Sequence, residues 1–466
     1  MSRSFDAIVI GAGQAGPPLV RRLTAAGMTV AIVERKLIGG TCVNTGCTPT
    51  KTLIASARVA YLARHAAEYG VTSPGPIEVD LVRVKVRADA VVRASRDGLE
   101  GTLHSTDRCT VLHGHAKFES PRSVRVGDEL LVSERIFINT GGRAFVPAMP
   151  GVESVPFLTN TSMLTLDSLP RHLVVVGGSY VGLEFAQMYR RFGSEVTVVE
   201  KTSRLVGHED PDVSDAVRDI LEREGVVCRL DAECISFSRS FRGVIVHVDC
   251  KTAARDIDGS HVLLAVGRRP NTGDLGLERA GVAVDARGYV VVDEELRTSV
   301  PGIWALGDCN GHGAFTHTAY NDFEIVAANM LDGDHRSLRD RIPCYALYTD
   351  PPLGRAGLDE SGARKTGRPF LVGTRPMSRV SRAVEKGETL GFMKIVVDAE
   401  TKRIVGGTIL GTDGDEAIHG ILDTMYAGVP YTTLQRSVGI HPTVSELIPT
   451  MLGELRVGHL RTAAHE

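Results

Sequence analysis

Two copies of one glycine-rich pattern constrain the fold of this 466-residue chain more than any other feature. In the first copy, an apolar run at 5–10 leads into Gly11, Gly13 and Gly16, and a helical segment then precedes a second apolar run that ends at Glu34. Glycines at such a turn let the backbone approach a pyrophosphate bound at the helix N-terminus. The carboxylate, 23 residues after Gly11, is placed to accept hydrogen bonds from ribose hydroxyl groups. The pattern predicts a dinucleotide-binding α/β unit.

The second copy lies near the middle of the chain. Apolar residues 173–176 precede Gly177 and Gly182, and Glu200 follows Gly177 by 23 residues, the same interval as in the first copy. Ser179 replaces the middle glycine, so we expect the backbone to approach a pyrophosphate less closely here. A degenerate repeat that binds nothing is the alternative, but the matched spacing favours two dinucleotide-binding folds.

Length and composition limit the remaining possibilities. A chain of 466 residues is too long for one core and predicts about three domains. The formal net charge of −3, with acids and bases evenly spread, gives no indication of nucleic-acid binding. No apolar run reaches the ~18 residues needed to cross a membrane. Because residues 1–5 lead directly into a strand and the eight cysteines are scattered apart from one close pair, we expect no secretory signal and a cytoplasmic location.

That close pair consists of Cys42 and Cys47, which follow the first glycine pattern. On a regular helix their Cα atoms would be about 7.5 Å apart along the axis alone, whereas a disulfide requires less than about 6.8 Å. If the two residues pair, the start of the helix must be distorted, and Gly46 is the residue that would allow it. Strained, accessible disulfides are the easily reduced ones that carry out chemistry. Two small buried structural cysteines are the ordinary alternative.

A family resemblance lies in this region, in the stretch GGTCVNTGCTPTK at 39–51. It resembles the redox-active motif of the FAD-dependent pyridine nucleotide–disulfide oxidoreductases, and the resemblance extends from about residue 5 to about residue 453. It implies an α/β fold with two Rossmann-like dinucleotide-binding domains, for FAD and NAD(P), and a C-terminal α+β dimerisation domain. The implied limits are 1–149 and 269–339 for a discontinuous FAD-binding domain, 150–268 for the NAD(P)H-binding domain, and 340–466 for the dimerisation domain.

The resemblance also implies a set of cofactor-binding residues. Segments around 137–142 and 263–271 are similar to the family's crossovers out of and back into the FAD domain, and Asp308 matches the aspartate that binds the ribityl and pyrophosphate region of FAD. The helix after Thr316 should point its N-terminus at the flavin. A turn aspartate and a structural His317 are the ordinary alternatives. The implied residues are Gly11, Gly13, Gly16, Glu34, Gly40, Thr41, Lys51, Thr140, Gly141, Gly177, Gly182, Glu200, Gly267, Arg268, Asp308, Thr316 and His317.

Catalytic roles follow from the same resemblance. Cys47 matches the cysteine nearest the flavin, which forms a charge-transfer thiolate, and Cys42 matches the one that attacks the substrate. Lys51 matches a lysine at the flavin N5 that pairs with a glutamate of the second nucleotide fold, here Glu184. A solvated helix charge is the ordinary alternative for either residue alone.

An acid–base pair is predicted near the C-terminus, in the stretch HPTVSE at 441–446. A histidine such as His441 can accept and return the proton of an attacking thiol, and a carboxylate such as Glu446 holds the imidazole in one tautomer. In the family this pair comes from the second subunit. The resemblance therefore implies an obligate homodimer with a shared active site.

The electron acceptor is predicted by a finer resemblance. The resemblance is greatest to a mercuric-reductase-like branch that includes reactive-chlorine-resistance copper(II) reductases. It rests on the sequence of the cysteine motif, on Ser179 and on the segment 348–357. Cys42 and Cys47 would then bind substrate Cu(II) or Hg(II) transiently, because thiolates suit soft metals. No cysteine follows Cys344, whereas mercuric reductases carry a cysteine pair near the C-terminus and often an N-terminal CxxC domain. Efficient Hg(II) turnover is therefore not expected, and the histidine–glutamate pair, which mercuric reductases lack, favours a copper or thiol–disulfide half reaction.

Several alternatives share the same cofactors. Glutathione reductase and dihydrolipoamide dehydrogenase types remain open, although Ile440 replaces the second histidine usual in the lipoamide enzymes. Glu200 favours a free 2′-hydroxyl and hence NADH, while Lys201 and Arg204 leave NADPH open. A non-catalytic FAD- and NAD-binding redox reporter would be insensitive to the substitution Cys42→Ser. An NAD(P)H oxidase would keep its activity without the cysteines.

Overall fold

The computed structural model describes residues 2–233, 235–248 and 256–458. These residues form fourteen α-helices and twenty-four strands arranged in six sheets. The helices are α1 (Gly16–Ala25), α2 (Gly40–Thr45), α3 (Cys47–Arg64), α4 (Leu81–Ser105), α5 (Asn160–Met163), α6 (Tyr180–Phe192), α7 (Pro211–Arg223), α8 (Leu277–Ala280), α9 (Thr316–Ala327), α10 (Glu360–Lys365), α11 (Ser381–Glu385), α12 (Gly414–Ala427), α13 (Tyr431–Gln435) and α14 (Ile448–Leu452).

The strands are β1 (Ser2–Ser4), β2 (Ala7–Ile10), β3 (Val30–Glu34), β4 (Cys109–His113), β5 (Ala116–Ser120), β6 (Ser123–Val126), β7 (Glu129–Val132), β8 (Ile136–Ile138), β9 (Gly142–Ala144), β10 (His172–Val176), β11 (Glu195–Val199), β12 (Val227–Arg229), β13 (Ser236–Ser240), β14 (Gly243–His247), β15 (Asp256–Gly259), β16 (His261–Leu264), β17 (Arg268–Pro270), β18 (Ile303–Ala305), β19 (Cys344–Leu347), β20 (Leu353–Gly357), β21 (Phe370–Pro376), β22 (Phe392–Asp398), β23 (Ile404–Leu410) and β24 (Arg456–Val457).

The first glycine pattern builds a five-stranded parallel sheet with the order β18-β8-β2-β3-β4. Alternate residues of β2 pack on opposite faces: Ala7 and Val9 join one apolar cluster, and Ile8 and Ile10 join another. Both faces are covered, as expected for a parallel sheet of continuous apolar strands. Strand β18 joins this sheet from far along the chain, after the second sheet has been completed.

The second glycine pattern builds a four-stranded parallel sheet with the order β12-β11-β10-β16. Leu173 and Val175 pack on one face of β10, and Val174 and Val176 pack on the other. The segments that leave and re-enter the first sheet meet as the antiparallel pair β9 and β17. The predicted crossovers therefore lie side by side.

The C-terminal region forms a six-stranded sheet with the order β19-β20-β23-β22-β21-β24. All its pairings are antiparallel, and α12 packs on β20 and β23. Its core contains Ile395, Ile409, Ile418 and Ile421. This sheet lies within the predicted third domain, 340–466, of which residues 459–466 lie outside the described residues. Among the described residues, no helix combines the length and apolar character that crossing a membrane requires.

Candidate active site

The helix that carries the cysteine pair is interrupted between the two cysteines. Helix α2 contains Cys42 and ends before Gly46, and α3 begins at Cys47. Gly46 has φ −136° and ψ −116°, which lie outside the helical region. A Cβ at this position would lie 2.9 Å from the Thr41 carbonyl oxygen, so no side chain fits there. The distortion that pairing of the two cysteines would require is present, and the two side chains, both free thiols, hydrogen bond with each other.

The two thiols have opposite acidities. The hydrogen bond from Cys42 is the largest influence on Cys47 and lowers its pKa to about 6, against partial desolvation. Thr316 Oγ1, 3.3 Å from the Cys47 sulfur, and the positive charge of Lys51 act in the same direction. The pKa of Cys42 is raised, first because its thiol is held as the donor to Cys47 and then because of burial. In the dithiol form Cys47 is therefore the thiolate at neutral pH, and Cys42 keeps its proton.

Lys51 and Glu184 pair directly. The Lys51 ammonium donates to both carboxylate oxygens at 3.0 and 2.8 Å, and the Glu184 side chain is 8% exposed. The Tyr348 backbone N–H donates to the same carboxylate at 3.0 Å, and its ring lies 4.6 Å from the Lys51 nitrogen. Because Lys51 is on α3 and Glu184 on α6, this pair connects the first glycine unit to the second.

The two glycine turns are alike in detail. Gly11 and Gly177 have φ angles of +106° and +115°, a region that favours glycine. A Cβ on Gly11 would overlap the Asn139 carbonyl, and one on Gly16 would lie 2.6 Å from the Gly11 carbonyl oxygen. At Gly182 a Cβ would overlap the Gly177 carbonyl in the same way. The repeat in the sequence is therefore a repeat in structure.

The first turn leaves space for a ligand at Gly13. A Cβ at Gly13 would contact protein atoms only at 3.6 Å and beyond, so packing within the fold does not require a glycine there. Gly40 and Thr41 form the first turn of α2 beside it, and a Cβ on Gly40 would lie 2.8 Å from the Gly13 Cα. Glu34 accepts a hydrogen bond from the Ala12 N–H at 2.9 Å. The cradle of backbone at Gly13 fits a pyrophosphate.

The crossovers supply polar groups that suit the same ligand. Among the described residues, the buried Thr140 hydroxyl and the Arg268 Nε lack hydrogen-bond partners. Asp308 lies 3.3 Å from the Arg268 guanidinium, and burial raises the pKa of its carboxyl group against that attraction. Gly141 and Gly267 have φ angles of +65° and +122°, and a Cβ on either would meet no atom within 4 Å. The residues present therefore fit FAD.

The corresponding carboxylate of the second unit is held in the same manner. Glu200 accepts hydrogen bonds from the Gly178 N–H at 2.7 Å and from the N–H and hydroxyl of Thr202, both at 2.9 Å. Lys201 and Arg204 are exposed. A carboxylate therefore occupies the end of β11, where a ribose would bind.

Helix α9 begins beside Cys47 at Thr316. The next residue, His317, donates through Nε2 to the Cys344 carbonyl oxygen at 2.8 Å, and its ring stacks on Phe315 at 5.3 Å between centroids. The Thr316 hydroxyl is thus brought to the cysteine pair, while the His317 imidazole is engaged with β19.

His441 and Glu446 are together but lie apart from the cysteines. His441 Nδ1 is 3.1 Å from each Glu446 carboxylate oxygen. The His441 side chain is 70% exposed, whereas Glu446 is 13% exposed. Among the described residues, no hydrogen bond or ion pair joins this pair to Cys42 or Cys47. The imidazole is therefore oriented and available at the surface of the chain.

Asn139 is a residue of the site that the sequence did not single out. Its side-chain amide donates to the Gly11 carbonyl oxygen at 3.0 Å, and it is buried. It directly follows β8, in the segment that resembles the outgoing crossover. Its place after a buried parallel strand was the available signal.

Comparison with known proteins identifies the family. The family model described as "Pyridine nucleotide-disulphide oxidoreductase" matches residues 5–322, and the model of its dimerisation domain matches residues 344–452. The chain belongs to the pyridine nucleotide-disulphide oxidoreductase family and is an oxidoreductase. The predicted fold class, with two dinucleotide-binding units and a C-terminal dimerisation domain, is confirmed.

Three kinds of relative within this family are similar to the chain over nearly its whole length. The chain is 37% identical to the probable pyridine nucleotide-disulfide oxidoreductase RclA of Escherichia coli (strain K12), covering 95% of this chain and 97% of that protein. It is 32% identical to mercuric reductase of Streptomyces lividans (95% and 94% covered) and 33% identical to dihydrolipoyl dehydrogenase of Thermus scotoductus (95% and 96% covered).

Solved structures of RclA are also similar to this chain. The HOCl-induced flavoprotein disulfide reductase RclA from Escherichia coli superposes with a TM-score of 0.87 at 36% identity, covering 96% of this chain and 99% of that one. Its Cu(II) complex superposes with a TM-score of 0.88 at 35% identity, covering 97% and 99%. The predicted family and its mercuric-reductase-like, reactive-chlorine-resistance branch are confirmed, and the family implies FAD and a pyridine nucleotide.

Proposed function

We propose that this oxidoreductase passes electrons from a nicotinamide through FAD to the Cys42–Cys47 pair and on to a metal ion, with Cu(II) as the preferred acceptor. The observation that carries the proposal is the opposite acidity of the two thiols, one a thiolate and one a protonated thiol. The choice of Cu(II) is supported by the similarity to RclA, a structure of which is a Cu(II) complex. A low-molecular-weight disulfide reductase of the dihydrolipoyl dehydrogenase type is less favoured, because those relatives are less similar.

When bound, FAD and the nicotinamide supply the hydride and electron transfer that protein side chains lack. The proposed FAD-binding domain comprises 1–149 and 269–339, a division supported by the return of β18 to the first sheet, and Gly267 and Arg268 at the border of the next domain complete the proposed FAD site. The residues proposed to hold the nicotinamide nucleotide lie in 150–268, where the second glycine turn is found. Residues 340–466 are proposed to form the dimerisation domain.

The metal step uses the two thiols as electron donors. The Cys47 thiolate and, after losing its proton, the Cys42 thiolate are soft ligands suited to Cu(I). One electron from each sulfur reduces two Cu(II) ions to Cu(I), and the two sulfurs join as a disulfide. The proton of Cys42 must leave in this step, so a base is required. Since the pKa of Cys42 is raised, that base has to be positioned rather than supplied by water.

His441 of a second subunit is the proposed base. Glu446 orients its Nδ1, which leaves Nε2 to accept the proton. The exposure of His441 and the match of 344–452 to a dimerisation domain support a homodimer in which each subunit completes the other's site. Mixed dimers of a Cys42→Ser chain and a His441→Gln chain should regain activity that neither homodimer has. Mixed dimers as inactive as both parents would contradict the shared site.

NADH is the proposed nicotinamide substrate. The Glu200 carboxylate at the end of β11 can accept hydrogen bonds from a ribose 2′-hydroxyl but repels a 2′-phosphate.

A cytoplasmic location is also proposed, supported by the scattered cysteines of the sequence.

The test is anaerobic NADH and NADPH oxidation with Cu(II), Hg(II), oxidised glutathione and lipoamide as separate acceptors. Wild type is compared with Cys42→Ser. Turnover with Cu(II) that is lost in the variant, and little turnover with the two disulfides, is expected. Fast turnover of either disulfide would overturn the choice of a metal acceptor.

A further inference from the structure

A cluster of three metal-ligating side chains lies at the end of α4, outside the cysteine site. It consists of Glu100, His104 and His113, and their ligand atoms all lie within 4.8 Å of one another. It is the one group of three or more histidine, cysteine or acidic ligands that the described part of the chain brings together in this way. The family motifs at the cysteine pair and the glycine turns do not include it.

The fold brings the three residues together from two elements. Glu100 and His104 are four residues apart on α4 and therefore share one face of the helix. The chain reverses after α4, and β4 returns as the edge strand of the first sheet, ending at His113. The Glu100 Oε1 atom is 3.9 Å from the Nε2 atoms of both histidines. Two imidazoles thus flank one carboxylate.

The spacing is close to that of a metal site. Two ligands at about 2.1 Å from a shared ion lie roughly 3.0–3.4 Å apart. From 3.9 Å, each histidine nitrogen has to move toward the carboxylate by less than about 1 Å. Both histidine side chains are 56% exposed, so rotation of the side chains can achieve this without moving the backbone.

We propose that Glu100, His104 and His113 form a surface site for a divalent late transition metal ion, with Cu(II) the preferred ion. Neutral imidazole is a good ligand for copper, nickel and zinc, and Cu(II) binds most tightly of the divalent ions at a given nitrogen and oxygen site. Three protein ligands leave further coordination positions to water, so the ion exchanges with solvent. The site contains no thiol and is separate from the redox cysteines, so it does not depend on the proposed function.

The experiment measures Cu(II) binding to the full-length, FAD-containing protein without a reductant. A Cys42→Ser/Cys47→Ser background removes the competing thiols. CuCl₂ is added, and binding is followed by equilibrium dialysis and by the nitrogen hyperfine splitting in the electron paramagnetic resonance spectrum. His104→Gln and His113→Gln each remove one ligand, and His335→Gln serves as the control, because His335 is exposed and belongs to no such cluster among the described residues.

The background protein should bind one Cu(II) per chain with two nitrogen ligands at this site. Because loss of an outer-shell partner alone costs 10–100-fold in affinity, loss of either histidine should weaken binding at least about tenfold and remove one nitrogen from the spectrum. His335→Gln should bind as the background does. Unchanged affinity and an unchanged spectrum in both cluster variants would overturn the proposal. His104→Gln keeps the test valid if His113→Gln disturbs β4, since His104 lies on the exposed surface of a helix.

Discussion

The substitution Cys42→Ala should raise the pKa of Cys47 in the reduced protein. The hydrogen bond from the Cys42 thiol is the largest influence that lowers this pKa, and alanine cannot donate it. Thr316 and Lys51 remain in place and continue to favour the thiolate. Burial, which raises the pKa of Cys47, then becomes the largest influence, so the midpoint is expected to rise by at least about one pH unit.

The size of the effect follows from the acidity of Cys47. With a pKa of about 6, roughly nine-tenths of Cys47 is thiolate at pH 7, whereas at the value of about 8.5 typical of a free cysteine roughly three-hundredths would be. The thiolate is the form that reacts, but its intrinsic nucleophilicity increases as the pKa rises. The midpoint of the pH profile, rather than the rate at one pH, is therefore the quantity to measure.

The assay is the rate of alkylation of Cys47 by iodoacetamide in the chemically reduced protein as a function of pH. Peptide mass spectrometry separates the modification of Cys47 from that of the other cysteines. Cys344→Ala is the matched control, and it should keep the wild-type midpoint near pH 6. A wild-type midpoint near 8.5, or the same midpoint in wild type and Cys42→Ala, would refute the argument that Cys42 holds the proton for both sulfurs.

Three further predictions concern the nucleotide turns and the charged pair. Gly11→Ala should lower the free energy of unfolding by on the order of 1–3 kcal/mol from strain at its positive φ, with a further loss from steric overlap, and so lower the thermal midpoint. Gly13→Ala should fold normally and lose FAD on gel filtration, and equal stability of the two variants would contradict this. Lys51→Met should lower the turnover number by roughly a hundredfold, because it removes the positive charge beside Cys47 and leaves Glu184 unpaired. Lys51→Arg keeps the charge and should retain more activity. Equal activity of the two variants would contradict a role for the positive charge in turnover. Glu200→Gln should increase the NADPH-to-NADH ratio of kcat/KM at least about tenfold, or ~1.4 kcal/mol, and an unchanged ratio would remove Glu200 as the selective group.

Local backbone features, namely the glycine turns and the helix break, could be predicted from the sequence. The glycine turns and the break at Gly46 are set by steric contacts between residues that are close in sequence or in adjoining strands. The Lys51–Glu184 pair joins residues 133 positions apart, and it was predicted only through the family resemblance. Neither composition nor periodicity contains information on that pairing.

Contacts made by the tertiary structure alone were not predicted. The Arg191 guanidinium, 5% exposed, lies between Glu224 at 2.7 Å and Asp350 at 2.5 Å, and so ties α6 to the segment after β19. Charged residues are usually exposed, and no pattern around Arg191 indicates that it is buried. The metal-ligand cluster is similar: Glu100 and His104 show helical spacing, but His113 reaches them only because β4 folds back along α4.

A single-turnover count of Cu(I) determines whether electrons reach the metal through the cysteine pair. Wild type and Cys42→Ser are fully reduced without oxygen, separated from excess reductant, and mixed with Cu(II) in the presence of a Cu(I)-specific chelator. Because a dithiol gives up two electrons on forming a disulfide, wild type should yield two more Cu(I) per chain than the variant, in a fast phase. Equal yields and equal rates in the two proteins would contradict electron transfer through the cysteine pair, since the electrons would then reach copper without it.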